Sequence, residues 1–225
     1  MIFEPESVPI ESTGTDLPAV CATRLGVDAL RRRLAAPPAW TPEIVAEARL
    51  LRSASDPRQA AVLVPLVARA EGVTVLLTHR AVHLSTHAGQ ISFPGGRRDP
   101  ADQDATATAL REAQEEIALD ARHVEPIGRL PDYLTGTGYL IRPVVALVHP
   151  PFEVVPADAE VAEIFEVPLA FLMDPRHHEV RRHRSGDTER RFFAMPYPRS
   201  DGAGTHFIWG ATAGILRNLY RLLAA

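Results

Sequence analysis

Three glutamates at helical spacing are the residues of this chain best suited to chemistry. At about 100° per residue on an α-helix, Glu112, Glu115 and Glu116 fall within one arc, and Leu110 and Ile117 lie on roughly the opposite side. Like charges at this spacing destabilise an isolated helix by about 0.2–0.5 kcal/mol per pair. A cation among them would offset that repulsion, and Mg²⁺ prefers oxygen ligands. We therefore predict a magnesium site on this face.

Two neighbouring features extend the prediction towards phosphate chemistry. Gly95 and Gly96 precede the helix, and glycine there lets the backbone approach a phosphate or shape a metal loop. A plain tight turn is the alternative. Arg111 directly precedes the carboxylates, and its planar guanidinium can hold one glutamate in a metal-binding rotamer, or be an ordinary solvated arginine. Together, the glycine pair, Arg111 and the acidic face favour a functional site.

Hydrophobic periodicity and turn residues predict the elements that must position this site. Hairpins outnumber βαβ units, so the order of elements indicates an α/β fold with a mixed sheet rather than a doubly wound one. Residues 1–55 are interpreted as an N-terminal arm with short helices, followed by a domain over 56–225. The predicted helices cover 27–34, 41–52, 104–117, 168–172 and 211–223, and the predicted strands cover 61–69, 73–80, 90–93, 124–129, 140–148, 161–165, 179–183 and 190–195.

Composition excludes several classes of protein. The 24 basic residues are all arginine, the formal net charge is −4, and no long basic block occurs, which argues against nucleic-acid binding. The longest apolar run, 60–68, is too short to span a membrane. Cys21 is the single cysteine, so the sequence predicts neither a disulfide framework nor a cysteine zinc site, and we expect a cytoplasmic protein.

The acidic helix and the glycine before it resemble a known motif, the Nudix box. From Arg111 to Leu119 the sequence Arg-Glu-Ala-Gln-Glu-Glu-Ile-Ala-Leu matches each fixed position of that box except its glycine, which is Ala118 here. Gly96 lies one residue further from Arg111 than the pattern has it. The early glutamate is also missing, with Gln103 at the spaced position and Asp102 or Asp104 beside it. Asp104 or Asp102 is also the expected amino-terminal cap of the helix. The resemblance implies a Nudix-type α/β/α sandwich with a mixed sheet.

A second stretch is similar to the upstream signature of the coenzyme A pyrophosphatases within that family. Leu76-Leu77-Thr78-His79-Arg80-Ala81, then Gly89, then Phe93-Pro94-Gly95-Gly96 match it, and Ser85 stands where a second arginine is expected. The resemblance covers roughly residues 60–225. It implies Mg²⁺-dependent hydrolysis of coenzyme A or its derivatives, with Mn²⁺ as an alternative ion. The products would be 3′,5′-ADP and 4′-phosphopantetheine or its acyl form.

The resemblance also assigns roles to individual residues. Glu112 and Glu116 would be the principal metal ligands, Glu115 would complete the set or orient a metal-bound water, and the attacking nucleophile would be water. For the general base, the box glutamates and the loop candidates Glu160 and Glu163 stay open. The residues expected to contact the substrate, Arg80 first, are Arg80, Gly95, Gly96, Arg97, Arg98 and Arg142.

Several further features carry weaker interpretations. Trp209 is either an adenine-stacking residue or a packing residue at the start of a helix. His177, His178 and His183 suggest an exposed basic hairpin more than a metal site. Two other functions stay open: a Nudix hydrolase of ADP-ribose or another nucleotide sugar, and a catalytically silent nucleotide-binding regulator on the same fold. The expected partner is a small-molecule diphosphate, without nucleic acid or membrane, and a homodimer is left open.

Overall fold

A computed structural model describes residues 4–43, 57–84, 87–185 and 188–225. These ranges form short 3₁₀ turns, α-helices and β-strands. The helices are α1 (Val27–Ala35), α2 (Ala105–Ile117), α3 (Leu169–Leu172) and α4 (Gly210–Ala224). The strands are β1 (Ile10–Thr13), β2 (Arg58–Arg69), β3 (Gly72–Arg80), β4 (Ile91–Ser92), β5 (Gly95–Arg97), β6 (Val124–Arg129), β7 (Tyr133–Leu134), β8 (Tyr139–Val148), β9 (Val161–Pro168), β10 (Glu179–Ser185), β11 (Thr188–Pro198) and β12 (Thr205–Trp209).

The central sheet is mixed. Strands β2 and β8 run parallel, with residues 58–67 in register with 139–148. The other pairings in this sheet are antiparallel: β3 and β5 with β2, β4 and β9 with β3, and β6 and β7 with β8. Side chains alternate between the two faces of a strand, and both faces of β2 and β8 are apolar. Such strands must therefore be covered on both sides.

Different elements cover the two faces of this sheet. On one face, α2 packs against Leu63, Val144 and Ala146. On the other, α4 and a second sheet pack against Val64 and Val145. The resulting α/β/α arrangement confirms the predicted fold class. In the described part of the chain, no helix has the length and apolar character that a membrane crossing requires.

The second sheet has four antiparallel strands in the order β1-β10-β11-β12. The strands predicted at 179–183 and 190–195 are confirmed, and they pair as the β10–β11 hairpin. Strands β1 and β12 were not predicted. β1 is exposed along its whole length and carries no apolar alternation, so it depends on its partner. Buried Arg181 supplies that support by donating hydrogen bonds to the carbonyl oxygens of Glu6 (2.6 Å) and Val8 (2.8 Å).

The described part of the N-terminal segment packs on the rest of the chain. Leu30 and Leu34 of α1 belong to the same apolar cluster as α4. Glu43 pairs with the guanidinium of Arg217 at 2.8 Å. Most of the predicted helix over 41–52 lies outside the described residues. The division into an arm at 1–55 and a domain at 56–225 stays a prediction, and these contacts show residues 4–43 sharing the core.

Arg217 also contacts a buried histidine. The Arg217 guanidinium donates to Nδ1 of His178 at 3.0 Å, and Nε2 of His178 donates to the Leu172 carbonyl at 2.7 Å. Burial lowers the pKa of His178 to about 4. The ring is therefore neutral at pH 7. The expectation that this histidine lies on an exposed hairpin is wrong, because His178 is 1% exposed and precedes β10.

Candidate active site

Helix α2 lies close to the central sheet because the face it turns inward is built from small residues. Ala105, Ala109 and Ala113 are all buried there. The helix begins as the sequence predicts: the carboxylate of Asp104 accepts a hydrogen bond from the Ala107 amide at 2.9 Å and so caps the amino end. The outward face then presents the glutamates to the loop that precedes the helix.

At the carboxyl end of α2, Ala118 stands where the resembled motif has a glycine. Ala118 has φ +54°, the left-handed conformation that favours glycine at this position. A residue with a Cβ pays about 1–2 kcal/mol there. The Ala118 amide nevertheless reaches the carbonyl oxygens of Ala113 and Gln114. Ala118 therefore ends the helix in the left-handed capping conformation that a glycine would adopt.

Glu116 is the most enclosed of the three glutamates. It is 4% exposed. Its carboxylate accepts a hydrogen bond from the Gly95 amide at 3.1 Å and a charge-assisted one from Nη1 of Arg80 at 3.3 Å. Nε of Arg80 is buried and has no hydrogen-bond partner among the described residues. Strand β3, the first residue of β5 and helix α2 thus converge on this carboxylate.

Glu112 lies one turn earlier and packs against the glycine pair. A Cβ on Gly96 would come within 2.5–2.6 Å of the Glu112 carboxylate, and a Cβ on Gly95 would lie 2.5 Å from the Ala61 carbonyl oxygen. Neither position has room for a side chain. The glycines therefore let the backbone lie directly against the acidic helix, which agrees with the close approach expected from the sequence.

Arg111 joins the start of α2 to the preceding loop. Its guanidinium forms a two-point contact with the Asp102 carboxylate, 3.1 Å for each hydrogen bond. It also donates to the Arg97 carbonyl at 3.1 Å and lies 3.0 Å from the Glu112 carboxylate. The contact with Arg111 holds the pKa of Asp102 well below its usual range. The sequence suggests Asp102 as a helix cap or as an acid beside the position of the missing early glutamate, and it does not predict this contact with Arg111.

The third glutamate is turned away from the other two. Glu115 accepts a hydrogen bond from Nη1 of Arg111 at 2.8 Å, and its side chain is 57% exposed. In keeping with this, the described ranges contain no group of three Asp, Glu, His or Cys side chains gathered closely enough to hold a metal ion. The structure brings Glu112 and Glu116 together and leaves Glu115 at the rim.

Electrostatics at the pair of enclosed carboxylates suit a cation. Burial raises the pKa of Glu116 to about 7, despite the opposing effects of Gly95 and Arg80. Burial also raises the pKa of Glu112, although Arg111 opposes it. The charge of Glu112 raises the pKa of Glu116, the charge of Glu115 raises the pKa of Glu112, and the charge of Glu160 adds to both. Anionic oxygens that are buried and only partly compensated fit a hard divalent ion.

The two loop glutamates proposed as bases have different surroundings. The charge of Glu160 acts on both Glu112 and Glu116. Glu163 lies on β9 and not in a loop, pairs with Arg199 at 3.0 Å, and lies 3.7 Å from His206. Of the two, Glu160 is the one whose charge reaches the carboxylate pair.

The remaining predicted residues lie at varying distances from the pair. Arg97 and Arg98 follow Gly96 directly, and both are exposed. Arg142 lies on β8 in register with Ala61, with its Nε 3.6 Å from Asp132. Ser85 lies outside the described residues.

Trp209 and the histidines belong to other parts of the molecule. Trp209 is the cap residue of α4 and meets the Phe192 ring edge-on, with centroids 5.4 Å apart. His177 stacks on Phe171 with centroids 3.8 Å apart. His183 lies on β10, in the second sheet. These contacts favour packing roles over metal binding.

Comparison with known proteins gives consistent matches. A family model described as "NUDIX domain" matches residues 57–185. The uncharacterized Nudix hydrolase NudL of Escherichia coli strain K12 is 43% identical over 169 residues, which cover 75% of this chain and 84% of NudL. The crystal structure of the M. smegmatis Nudix hydrolase RenU is 26% identical with a TM-score of 0.44, covering 52% of this chain and 73% of RenU. A C. elegans Ap4A hydrolase is 20% identical with a TM-score of 0.43, covering 49% and 80%.

Proposed function

Because this chain belongs to the Nudix hydrolase family, we propose that it hydrolyses the diphosphate bond of coenzyme A or its derivatives. The products are 3′,5′-ADP and 4′-phosphopantetheine or its acyl form. One observation carries this proposal: two motifs meet at one carboxylate. Glu116 of the acidic helix accepts hydrogen bonds from Gly95 and Arg80. Both of these residues belong to the stretch that resembles the coenzyme A pyrophosphatase signature.

Nudix hydrolases generally use divalent cations, and the carboxylate pair is the place for one here. Glu112 and Glu116 would hold Mg²⁺, or Mn²⁺ in its stead, and Glu115 would join them on leaving Arg111. When bound, the ion neutralises phosphate oxygens and offsets the charge that develops on the leaving phosphate. Without such compensation, an anionic diphosphate would be repelled by buried carboxylates on a chain of net charge −4.

Water is the nucleophile, and Glu160 is the proposed general base. Water attacks one phosphorus of the diphosphate, its proton passes to the Glu160 carboxylate, and the bond to the leaving phosphate oxygen breaks. The support for Glu160 is its electrostatic influence on both Glu112 and Glu116. Glu163 is less suited, because its carboxylate is already engaged by Arg199.

Arginines bind and position the reacting groups. Arg80 would contact a substrate phosphate, because its buried Nε still lacks an acceptor among the described residues. Arg97, Arg98 and Arg142 are the further candidates for phosphate contacts. Arg111 acts as a positioning residue: it holds the loop at Asp102 and borders Glu112. The backbone of Gly95 and Gly96 lies directly against Glu112, because neither glycine has a side chain to hold it away.

A direct product assay tests the proposal. Coenzyme A, ADP-ribose and a dinucleotide polyphosphate are incubated separately with the full chain and Mg²⁺, and products are separated by chromatography. We expect 3′,5′-ADP from coenzyme A, with a kcat/KM at least tenfold above the other two substrates. A preference for ADP-ribose or the dinucleotide would assign a different Nudix substrate. Turnover of none of them, with nucleotide binding retained, would favour a silent binding protein.

Three further expectations belong to this proposal. A site of this kind acts on a small molecule, so we propose a cytoplasmic enzyme that needs neither nucleic acid nor a membrane. We retain the division at residue 56 as the start of the catalytic domain, since the family match begins at residue 57. Sedimentation of the purified chain would decide between monomer and homodimer.

A further inference from the structure

A pocket lies beside the glycine pair, at the strand residues that follow it. It has a volume of about 500 Å³, and the residues that give it its character are Arg58, Gln59, Arg97, Arg98 and Asp99. Strand pairing fixes its position, because Ala60 of β2 is in register with Arg97 of β5. The pocket therefore begins one residue after Gly96, which packs on Glu112.

The pocket is positively charged, and its charges are poorly neutralised. Of the described residues that line it, three are arginines and one, Asp99, carries a carboxylate. Arg58 stacks on the Tyr139 ring at 4.1 Å and donates to the Thr137 carbonyl. These contacts hold the guanidinium in place without cancelling its charge.

The other two arginines keep their charge in the same way. Arg98 donates to the carbonyl oxygens of Asp102 (3.0 Å) and Gln103 (3.3 Å), which are neutral acceptors. The side chain of Arg97 forms no ion pair or hydrogen bond with any residue that the structure describes. A fixed arginine pair beside a free one is suited to a phosphate, whose oxygens accept several charge-assisted hydrogen bonds.

An unmet hydrogen-bond acceptor in the same pocket points to the rest of the ligand. Oε1 of Gln59 is buried and has no donor among the described residues, while its Nε2 donates to the Pro57 carbonyl at 3.1 Å. Leaving a buried acceptor unsatisfied costs about 1–3 kcal/mol. A hydroxyl or amine of a bound nucleotide would supply the missing donor. The pocket thus matches a group that carries both a phosphate and an N–H or O–H donor.

We propose that this arginine pocket binds a phosphomonoester of the substrate, the 3′-phosphate on the ADP portion of coenzyme A. Arg58, Arg97 and Arg98 bind the phosphate, and Gln59 accepts a hydrogen bond from the same nucleoside. This inference rests on the proposed function and names the feature that selects its substrate. ADP-ribose and 3′-dephospho-coenzyme A carry the diphosphate but lack this phosphate, so the pocket discriminates against them.

The kinetic test compares two substrates that differ only in the 3′-phosphate. Coenzyme A and 3′-dephospho-coenzyme A are assayed with wild type, Arg97→Gln, Arg58→Gln and the control Arg32→Gln, an exposed arginine of α1. We expect wild type and the control to prefer coenzyme A at least tenfold in kcat/KM. That ratio should fall at least tenfold in Arg97→Gln and also fall in Arg58→Gln. An unchanged ratio in both pocket variants would overturn the inference.

A binding test separates failure of the pocket from failure of the proposed reaction. Calorimetry compares 3′,5′-ADP with 5′-AMP, which lacks the 3′-phosphate. The pocket predicts at least tenfold tighter binding of 3′,5′-ADP to wild type and control, and loss of that difference in Arg97→Gln. Equal affinities for the two nucleotides would refute the pocket even if coenzyme A is hydrolysed. Tighter binding of 3′,5′-ADP without hydrolysis of coenzyme A would refute the reaction and leave the pocket standing.

Discussion

Replacing Glu116 by Gln should remove activity and at the same time stabilise the metal-free protein. Glu116 is 4% exposed, and burial raises the pKa of this carboxyl from 4.5 to about 7. Between these values the folded state binds more protons at this group than the unfolded state, so the contribution of Glu116 to stability falls as pH rises from 4.5 to 7. The loss amounts to about 3 kcal/mol at 1.36 kcal/mol per pH unit. A neutral glutamine does not incur it.

The assay is urea unfolding in EDTA at pH 5.5 and pH 8, followed by circular dichroism. On going from pH 5.5 to pH 8, wild type should lose stability relative to Glu116→Gln, and Glu116→Gln should be the more stable of the two at pH 8. Adding Mg²⁺ should restore the stability of wild type, because a ligand that binds only the folded state stabilises it. In the coenzyme A assay, kcat/KM of Glu116→Gln should fall at least about a hundredfold, since even outer partners of metal ligands contribute 10–100-fold.

Glu71→Gln is the matched control, because Glu71 is exposed at the turn before β3. Its stability profile and activity should follow wild type. The reasoning about Glu116 is refuted if Glu116→Gln is less stable than wild type at pH 8 in EDTA. That result would mean that the hydrogen bonds from Gly95 and Arg80 outweigh the cost of burial. Retained turnover would independently exclude Glu116 as a metal ligand.

Three other predictions use different features of the structure. Gly96→Ala places a Cβ 2.5 Å from the Glu112 carboxylate, so kcat should fall on the order of a hundredfold, as for a displacement of about 1 Å, with a near-native circular dichroism spectrum. Arg80→Gln removes the cation beside Glu116. Mn²⁺ binding, titrated by electron paramagnetic resonance, should become about tenfold tighter, which is equivalent to about 1.4 kcal/mol. Weaker binding of Mn²⁺ to the variant would contradict this prediction. Burial lowers the pKa of His178 from 6.5 to about 4, so the unfolded state gains a proton first as pH falls. The contribution of His178 to stability should therefore drop by about 3 kcal/mol over that interval, opposite in sign to the contribution of Glu116. As pH falls from 6.5 to 4.5, His178→Gln should gain stability relative to wild type in urea unfolding.

The acidic helix was predictable because its signals are local. Its apolar residues recur at helical spacing and Asp104 stands at the first turn, so both the helix and its cap were found. The contact between Arg111 and Asp102 was not, because it depends on the path of the loop through Pro100. No periodicity links two residues nine positions apart across a helix start. The ion pair between Arg111 and Glu115 has the i,i+4 spacing of a helix, but the sequence alone does not show that Glu115 contacts this arginine instead of joining Glu112 and Glu116.

Long-range pairing set the other limits of prediction. Strand β1 has no alternating apolar pattern, and it becomes a strand because Arg181 and β10 supply its partners. The pocket beside Gly96 is another product of tertiary structure. Arg58 and Arg97 are far apart in sequence, and only the antiparallel pairing of β2 with β5 brings their neighbourhoods together. Composition could report many arginines but not which of them share a pocket.

The charges around α2 explain how a face of three glutamates folds before any cation binds. Arg111 compensates Glu115 and part of Glu112, while Arg80 compensates part of Glu116. Compensation is incomplete, because burial still raises the pKa of both Glu112 and Glu116. Complete neutralisation by arginine would remove the attraction of the site for a divalent ion. Without any arginine beside them, burial of the two carboxylates would be too unfavourable for folding. The observed balance therefore leaves a folded site that a cation can still stabilise.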